Sequence, residues 1–148
     1  MGQLQQDSST SLKPSSSQKK RILVVDDEVD ITTVFKLGLE EGADLRVDVY
    51  NDPSLALSDY KPGMYDLLLL DIKMPKMNGF ELYKKIKDKE DDRDGHGKPR
   101  VCFITAYEEY RSQFNELFPT AEEVDCFLKK PISLPDLVKA VKSQLGML

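Results

Sequence analysis

Four short, unbroken apolar runs divide the chain, and segments with helical periodicity separate them. The runs cover residues 22–25, 67–70, 101–104 and 126–128. Runs of this kind are typical of strands that are covered on both faces of a parallel sheet. Residues 45–49 alternate apolar and polar side chains instead, which predicts a half-exposed strand at one edge of the sheet.

A helical signal follows each strand. Ile31, Phe35 and Leu39 recur at helical spacing after the first strand, and residues 52–53 pair an acidic cap with proline. Residues 133–136 resemble a capping box that opens the last amphipathic helix. Five strand–helix units predict an α/β fold, a doubly wound five-stranded parallel sheet with helices on both faces. Ligands of such sheets bind outside the carboxyl ends of the strands.

Length and charge exclude several classes of protein. The chain has 148 residues, enough for one domain, and a net charge of −5, which argues against direct binding of nucleic acid. No apolar run approaches the roughly 20 residues that a membrane span needs, and the first residues lack a secretory signal. We therefore expect a cytoplasmic protein without membrane contact. We read Cys102 and Cys126 as small core hydrophobes rather than as a disulfide framework or a zinc site.

The N-terminal part of the chain differs in composition from the rest. Residues 1–20 are rich in Ser and Gln and contain few large apolar side chains, which predicts a disordered tail. Residues 21–148 form the predicted domain. We expect a stand-alone module, because the sequence printed here shows no second domain after residue 148, although a piece of a longer protein would look the same.

Chemically active side chains follow four of the predicted strands. Asp26 and Asp27 follow the first strand, Asp71 the third, Thr105 the fourth and Lys130 the fifth. Crowded carboxylates at the ends of buried strands repel one another and need a cation, and their oxygen ligands suit Mg²⁺. The amine and hydroxyl add donors for an anion. The set predicts phosphoryl chemistry with a carboxylate nucleophile, which needs no base because it is already ionised.

Each of these residues also has an ordinary structural interpretation. A strand-end Asp often caps a helix, a Thr suits a strand, and a Lys is usually solvated. Their joint placement at the ends of four strands favours a site over coincidence.

Four segments carry a resemblance to a known family: residues 22–28, 65–79, 103–106 and 127–131. The most specific is the D-x-x-M-P-x-M-N-G pattern at residues 71–79. The chain resembles the receiver domain of two-component response regulators, in particular the stand-alone, chemotaxis-receiver-like kind. The resemblance implies a flavodoxin-like fold with strand order 2-1-3-4-5, which agrees with the edge strand at residues 45–49.

The resemblance also implies roles for the site residues. Asp71 is the expected phosphoacceptor, which takes its phosphoryl group from a sensor histidine kinase or a phosphotransfer protein, while Thr105 and Lys130 bind phosphoryl oxygens. The expected Mg²⁺ site consists of the carboxylates of Asp26, Asp27 and Asp71 and the backbone carbonyl of Lys73. The protein is then no enzyme in the usual sense, since it catalyses only its own aspartyl phosphorylation and dephosphorylation.

Thr105 and Phe127 are the expected switch residues. The family often has a tyrosine at the position of Phe127, so we expect a ring without a hydroxyl anchor and a soft switch. The output partner, or a second copy in a phosphorylated homodimer, is expected on the last helix–strand–helix face. The family uses the positions of Lys73 and Tyr107 to adjust the lifetime of the phosphoryl group.

Two other classes of protein share part of this pattern. A haloacid-type hydrolase also uses a strand-end Asp but needs a second Asp two residues later, where this chain has Lys73. The remaining alternative is an interaction module that binds partners independently of phosphorylation.

Overall fold

The computed structural model describes residues 19–90, 98–120, 124 and 126–147. Its strands are β1 (Arg21–Val25), β2 (Arg46–Tyr50), β3 (Leu67–Asp71), β4 (Arg100–Thr105) and β5 (Phe127–Lys129). Its helices are α1 (Val29–Ala43), α2 (Pro53–Asp59), α3 (Gly79–Lys89), α4 (Tyr110–Leu117) and α5 (Leu134–Gln144). Most of the predicted tail lies outside the described residues. In the part of the chain that is described, no helix is long and apolar enough to cross a membrane.

The five strands pair in parallel in the order β2-β1-β3-β4-β5, which confirms the predicted fold and strand order. Every residue of the central strand β3 is buried, and successive side chains enter opposite faces of the sheet. Leu68 and Leu70 pack in the cluster that contains residues of α2, α3 and α4. Leu67 and Leu69 pack in the cluster that contains residues of α1 and α5. The sheet therefore separates two cores, as continuous apolar strands require.

Side-chain caps determine where several helices begin. The Asp52 carboxylate accepts a hydrogen bond from the Ser54 N–H at 2.8 Å, immediately before the proline that opens α2. Asn78 and Glu81 form a complete capping box at the start of α3. Both caps fix loops that leave the carboxyl ends of strands, so they hold the edge of the sheet where the predicted site lies.

The last strand differs from its prediction. Residues 126–128 were expected to form a fourth fully buried run, but Phe127 and Leu128 are half-buried. The physical reason is position: in the described part of the chain, β5 lies at one edge of the sheet and has β4 as its single neighbour. An apolar run alone does not distinguish a central strand from an apolar edge strand.

The two cysteines are covalently joined. Cys102 lies on β4 and Cys126 directly precedes β5, and their Cα atoms are 4.5 Å apart. Both side chains are buried, as predicted, but the prediction that they act only as small core hydrophobes is wrong. The register that pairs Phe103 with Phe127 brings the cysteines side by side, although 24 positions separate them in sequence. No sequence pattern indicated that pairing.

Candidate functional site

A cleft of about 560 Å³ opens at the carboxyl ends of the strands. Asp71, at the end of β3, lines it together with residues from the loops after β1, β3, β4 and β5. These other residues are Asp27, Glu28, Lys73, Met74, Pro75, Ala106, Tyr107 and Lys130. The cleft lies where parallel sheets place their ligands.

Three carboxylates converge at the cleft. Asp26, Asp27 and Asp71 each offer one carboxylate oxygen, and these three oxygens lie within 4.8 Å of one another. Asp26 and Asp71 are buried, with 1% and 4% of their surface exposed, whereas Asp27 is exposed. Hard oxygen ligands with one side open to solvent fit a hydrated divalent cation such as Mg²⁺. The structure thus brings together the three carboxylates that the sequence analysis selected.

Hydrogen bonds hold Asp26 at the end of β1. Its Oδ1 atom accepts from the Glu28 N–H at 2.9 Å, and its carbonyl accepts from the Asn51 side-chain amide at 2.8 Å. Asn51 also donates to the Thr32 hydroxyl at 2.9 Å. Sequence reasoning did not identify Asn51, because its role depends on β2 ending beside β1.

Lys130 links the carboxylates. Its Nζ atom lies 2.7 Å from Asp26 Oδ2, 3.5 Å from Asp71 Oδ1 and 3.4 Å from Glu28 Oε1. The Lys130 backbone N–H donates to the Thr105 carbonyl at 2.8 Å, which fixes the lysine to the end of β4. The sequence analysis did not single out Glu28, because its contact with Lys130 depends on the tertiary structure.

The buried charges shift one another's protonation. Burial, reinforced by the negative charge of Asp26, raises the pKa of Asp71 to about 7. Burial also raises the pKa of Asp26, although the hydrogen bond from Lys130 offsets part of that effect. Burial lowers the pKa of Lys130, but the hydrogen bond to Asp26 and the charge of Asp71 outweigh it and the net direction is upward. A cation that entered the cleft would relieve this repulsion.

Thr105 lies at the end of β4 and is buried, with 1% of its surface exposed. Its Oγ1 atom accepts a hydrogen bond from the Tyr107 N–H at 3.1 Å, and its side chain is absent from the lining of the cleft. The Lys73 Nζ atom lies 4.4 Å from the centroid of the Tyr107 ring. The loops after β3 and β4 therefore touch at the mouth of the cleft through a cation–π contact.

Gly79 keeps the loop after β3 close to the phosphoacceptor candidate. Its N–H donates to the Ile72 carbonyl at 2.8 Å. A Cβ atom at this position would stand 2.4 Å from the Asp71 carbonyl oxygen. Only glycine permits this approach of two backbone segments.

Phe127 is the first residue of β5 and does not line the cleft. Its half-buried ring packs against Phe114 of α4, with the ring centroids 5.0 Å apart. The role of Phe127 as a switch stays a prediction, as does the use of the Lys73 carbonyl as a metal ligand.

Comparisons with known proteins agree with this geometry. The family model of the response regulator receiver domain matches residues 22–142. The transcriptional regulatory protein PcoR of Escherichia coli is 31% identical over 127 residues, which cover 85% of this chain and 51% of PcoR. CpxR of Klebsiella pneumoniae is 32% identical over 126 residues, which cover 84% of this chain and 49% of CpxR. The chain thus spans about half the length of these relatives.

Two crystal structures show the same architecture. A CheY-like receiver domain protein from Methanospirillum hungatei is 28% identical with a TM-score of 0.69, over 87% of this chain and 95% of that one. TrrA of Thermotoga maritima, in complex with Mg²⁺ and a beryllium fluoride, is 33% identical with a TM-score of 0.67. The match covers 85% of this chain and 99% of TrrA. The chain therefore belongs to the receiver domains of two-component response regulators, the modules of phosphorylation-dependent signalling.

Proposed function

We propose that Asp71 is the phosphoacceptor of this receiver domain and that a histidine kinase or a phosphotransfer protein is its donor. The observation that carries the proposal is the position of the Asp71 carboxylate. It borders the cleft from a buried position, 3.5 Å from the Lys130 amine and beside the carboxylates of Asp26 and Asp27. It therefore lies where an incoming phosphoryl group would meet both a cation and a metal site.

The transfer needs few groups from the protein. A carboxylate oxygen of Asp71 forms a bond to phosphorus while the phosphorus–nitrogen bond of the donor phosphohistidine breaks. The electron pair of that bond stays on the imidazole nitrogen. Lys130 neutralises a phosphoryl oxygen, and the Thr105 hydroxyl turns from Tyr107 to donate to another. The protein catalyses its own phosphorylation and dephosphorylation in this scheme and has no other substrate.

We assign a Mg²⁺ site to Asp26, Asp27, Asp71 and the backbone carbonyl of Lys73. The ion, when bound, neutralises charge on the phosphoryl group and on the crowded carboxylates. Three oxygen donors with an open side suit this cation. The TrrA structure, which contains Mg²⁺ and a beryllium fluoride, supports the assignment by similarity.

A hollow of about 310 Å³ borders the cleft and supports docking of the donor next to Asp71. Its lining is mostly apolar and comes from α1, the loop after β4 and the loop before α5: Ile31, Phe35, Ala106, Lys130, Pro131 and Ile132. A helical donor protein could cover this hollow while it presents its phosphohistidine to the cleft.

We place the output on the face formed by α4, β5 and α5, where a partner or a second copy would bind after Thr105 and Phe127 respond. The signalling domain in this proposal comprises residues 21–148, and residues 1–20 are a tail outside it. We expect the protein to act in the cytoplasm, where histidine kinases present their donor domains.

Incubation with Mg²⁺ and acetyl phosphate, followed by intact-protein mass spectrometry, tests the proposal. We expect one phosphoryl group on the wild type and none on Asp71→Asn. Asp44→Asn is the matched control, because Asp44 is an exposed carboxylate in a left-handed position that Asn tolerates. Equal phosphorylation of Asp71→Asn and the wild type would contradict the assignment.

The same variants distinguish the alternative of a module that binds partners independently of phosphate. Our proposal predicts that beryllofluoride changes the binding of an output partner to the wild type and leaves Asp71→Asn unaffected. Binding that ignores both beryllofluoride and the substitution would favour the alternative.

A further inference from the structure

The ring of Phe127 has a cationic contact that its sequence position did not suggest. The guanidinium carbon of Arg111, on α4, lies 4.6 Å from the centroid of this ring. Phe114, one turn further along α4, also packs on the ring. Phe127 lacks the hydroxyl that a tyrosine would use as an anchor, so a guanidinium over the ring is an anchor of a different kind.

Arg111 is itself tied to the loop that follows the site. Its Nε atom lies 4.0 Å from Glu108 Oε2, and Glu108 Oε1 lies 3.2 Å from the Nζ atom of Lys129 on β5. Glu108 therefore lies between α4 and β5, within reach of both cations. Exposed pairs of this kind add little stability but can determine side-chain orientation.

The loop that carries Glu108 begins at Thr105. The Thr105 hydroxyl accepts from the Tyr107 N–H, one residue before Glu108, and Thr105 is paired in register with Lys129. If the hydroxyl turns to a phosphoryl group on Asp71, it must release the Tyr107 N–H. The segment that then becomes free to move carries the carboxylate that faces Arg111.

We propose that Arg111 is the positioning residue of the switch. Arg111 holds the Phe127 ring in its resting position. Glu108, which contacts Arg111, moves with the loop when the Thr105 hydroxyl turns. The inference rests on the proposed function, since it needs a phosphoryl group on Asp71. It adds a residue on α4 through which the change at Thr105 reaches Phe127.

The expected effect is modest, because the contacts are half exposed. A cation–π contact at an exposed site corresponds to about a two- to fivefold change in a population ratio. Loss of the guanidinium should raise the activated population of the unphosphorylated protein by about that factor. The apparent affinity for beryllofluoride should rise by the same factor, because a larger fraction of the protein is already in the activated conformation that binds it.

The experiment uses ¹⁹F NMR of the full chain labelled with fluorophenylalanine. The chain has six Phe residues, and Phe127→Leu assigns the resonance. Beryllofluoride with Mg²⁺ is titrated into the wild type, Arg111→Met, Arg111→Lys and Glu108→Gln. Arg46→Met, on the opposite edge strand, is the matched control for loss of an exposed arginine.

We expect Arg111→Met to bind beryllofluoride about two- to fivefold more tightly and to show a smaller shift of the Phe127 resonance on saturation. Arg111→Lys should have a beryllofluoride affinity and a Phe127 shift between those of Arg111→Met and the wild type. Glu108→Gln should change both quantities in the same direction as Arg111→Met but by less. Arg46→Met should have the wild-type affinity and shift. An Arg111→Met variant with the wild-type affinity and shift would overturn the inference. A wild-type Phe127 resonance that ignores beryllofluoride would overturn it too, while phosphorylation measured by mass would still test Asp71 separately.

Discussion

The amine of Lys130 donates to the carboxylate of Asp26 at 2.7 Å, across 104 positions of sequence. The pair joins the last strand to the first at the end of the sheet where the carboxylates gather. Because both groups are largely buried, removal of the cation would leave a buried negative charge without its partner. This contact makes the charge balance of the site depend on Lys130.

Asp27 is the best residue with which to test the proposed metal site without disturbing the core, because its side chain is exposed. We expect Asp27→Ala to weaken Mg²⁺ binding by about tenfold or more and to slow phosphorylation. It should also remove some repulsion from the metal-free protein. Isothermal titration with Mg²⁺ measures the affinity, and unchanged binding would argue against Asp27 as a ligand.

The raised pKa of Asp71, about 7, predicts how stability depends on pH. A carboxyl whose pKa is raised by folding stabilises the folded state fully at pH values below its unfolded pKa, near 3.8. This stabilisation is lost as the pH rises through the folded pKa, about 7. The free energy of unfolding of Asp71→Asn should therefore exceed that of the wild type by more at pH 8 than at pH 5. We expect this excess to grow by an amount on the order of 1–3 kcal/mol between the two pH values. Urea unfolding in the presence of EDTA measures it. A constant difference between the two proteins would contradict the shifted pKa.

Gly79 offers a test of backbone packing at the site. Gly79→Ala places a Cβ atom against the Asp71 carbonyl oxygen, a backbone atom that cannot easily yield. We expect a loss of about 2 kcal/mol in the free energy of unfolding and slower phosphorylation. In the control, Gly38→Ala, the new methyl meets only the flexible end of Leu134, and better helix propensity offsets the contact. If both variants behaved alike, the close approach at Gly79 would have no special role.

The Lys73–Tyr107 contact at the mouth of the cleft predicts an effect on phosphoryl lifetime. Tyr107→Ala and Lys73→Ala should each admit water and speed hydrolysis, by about two- to fivefold. Because the two side chains act as a pair, the double variant should be little faster than either single one. Loss of the acyl phosphate is followed after removal of the donor. Effects that simply multiply would show that the two residues act separately.

The bond between Cys102 and Cys126 predicts a difference between the oxidised and reduced protein. A cross-link that closes a loop of about this length typically contributes about 2–4 kcal/mol. Urea unfolding with and without reductant should show that difference, and Cys102→Ala should abolish it. A wild-type protein with two alkylatable thiols after purification without reductant would refute the disulfide.

The sequence predicted the parallel sheet and the convergence of Asp26, Asp27, Asp71 and Lys130, because apolar runs and strand-end residues follow directly from the chain. The strand order came from the resemblance to receiver domains. The contacts that depend on tertiary structure were not predictable in the same way. Asn51 reaches Asp26 only because β2 ends beside β1, and the cysteines meet only through the register of β4 and β5. Half-burial of β5 likewise depends on its place at the edge rather than on its composition.

We expect Asp71, among several nearby carboxylates, to take the phosphoryl group. After phosphorylation by acetyl phosphate and Mg²⁺, borohydride reduces an aspartyl phosphate to homoserine, and tandem mass spectrometry locates the altered residue. We predict homoserine at position 71 and at no other position in the acidic cluster. Homoserine at position 26 or 27 instead, with aspartate intact at position 71, would contradict the account.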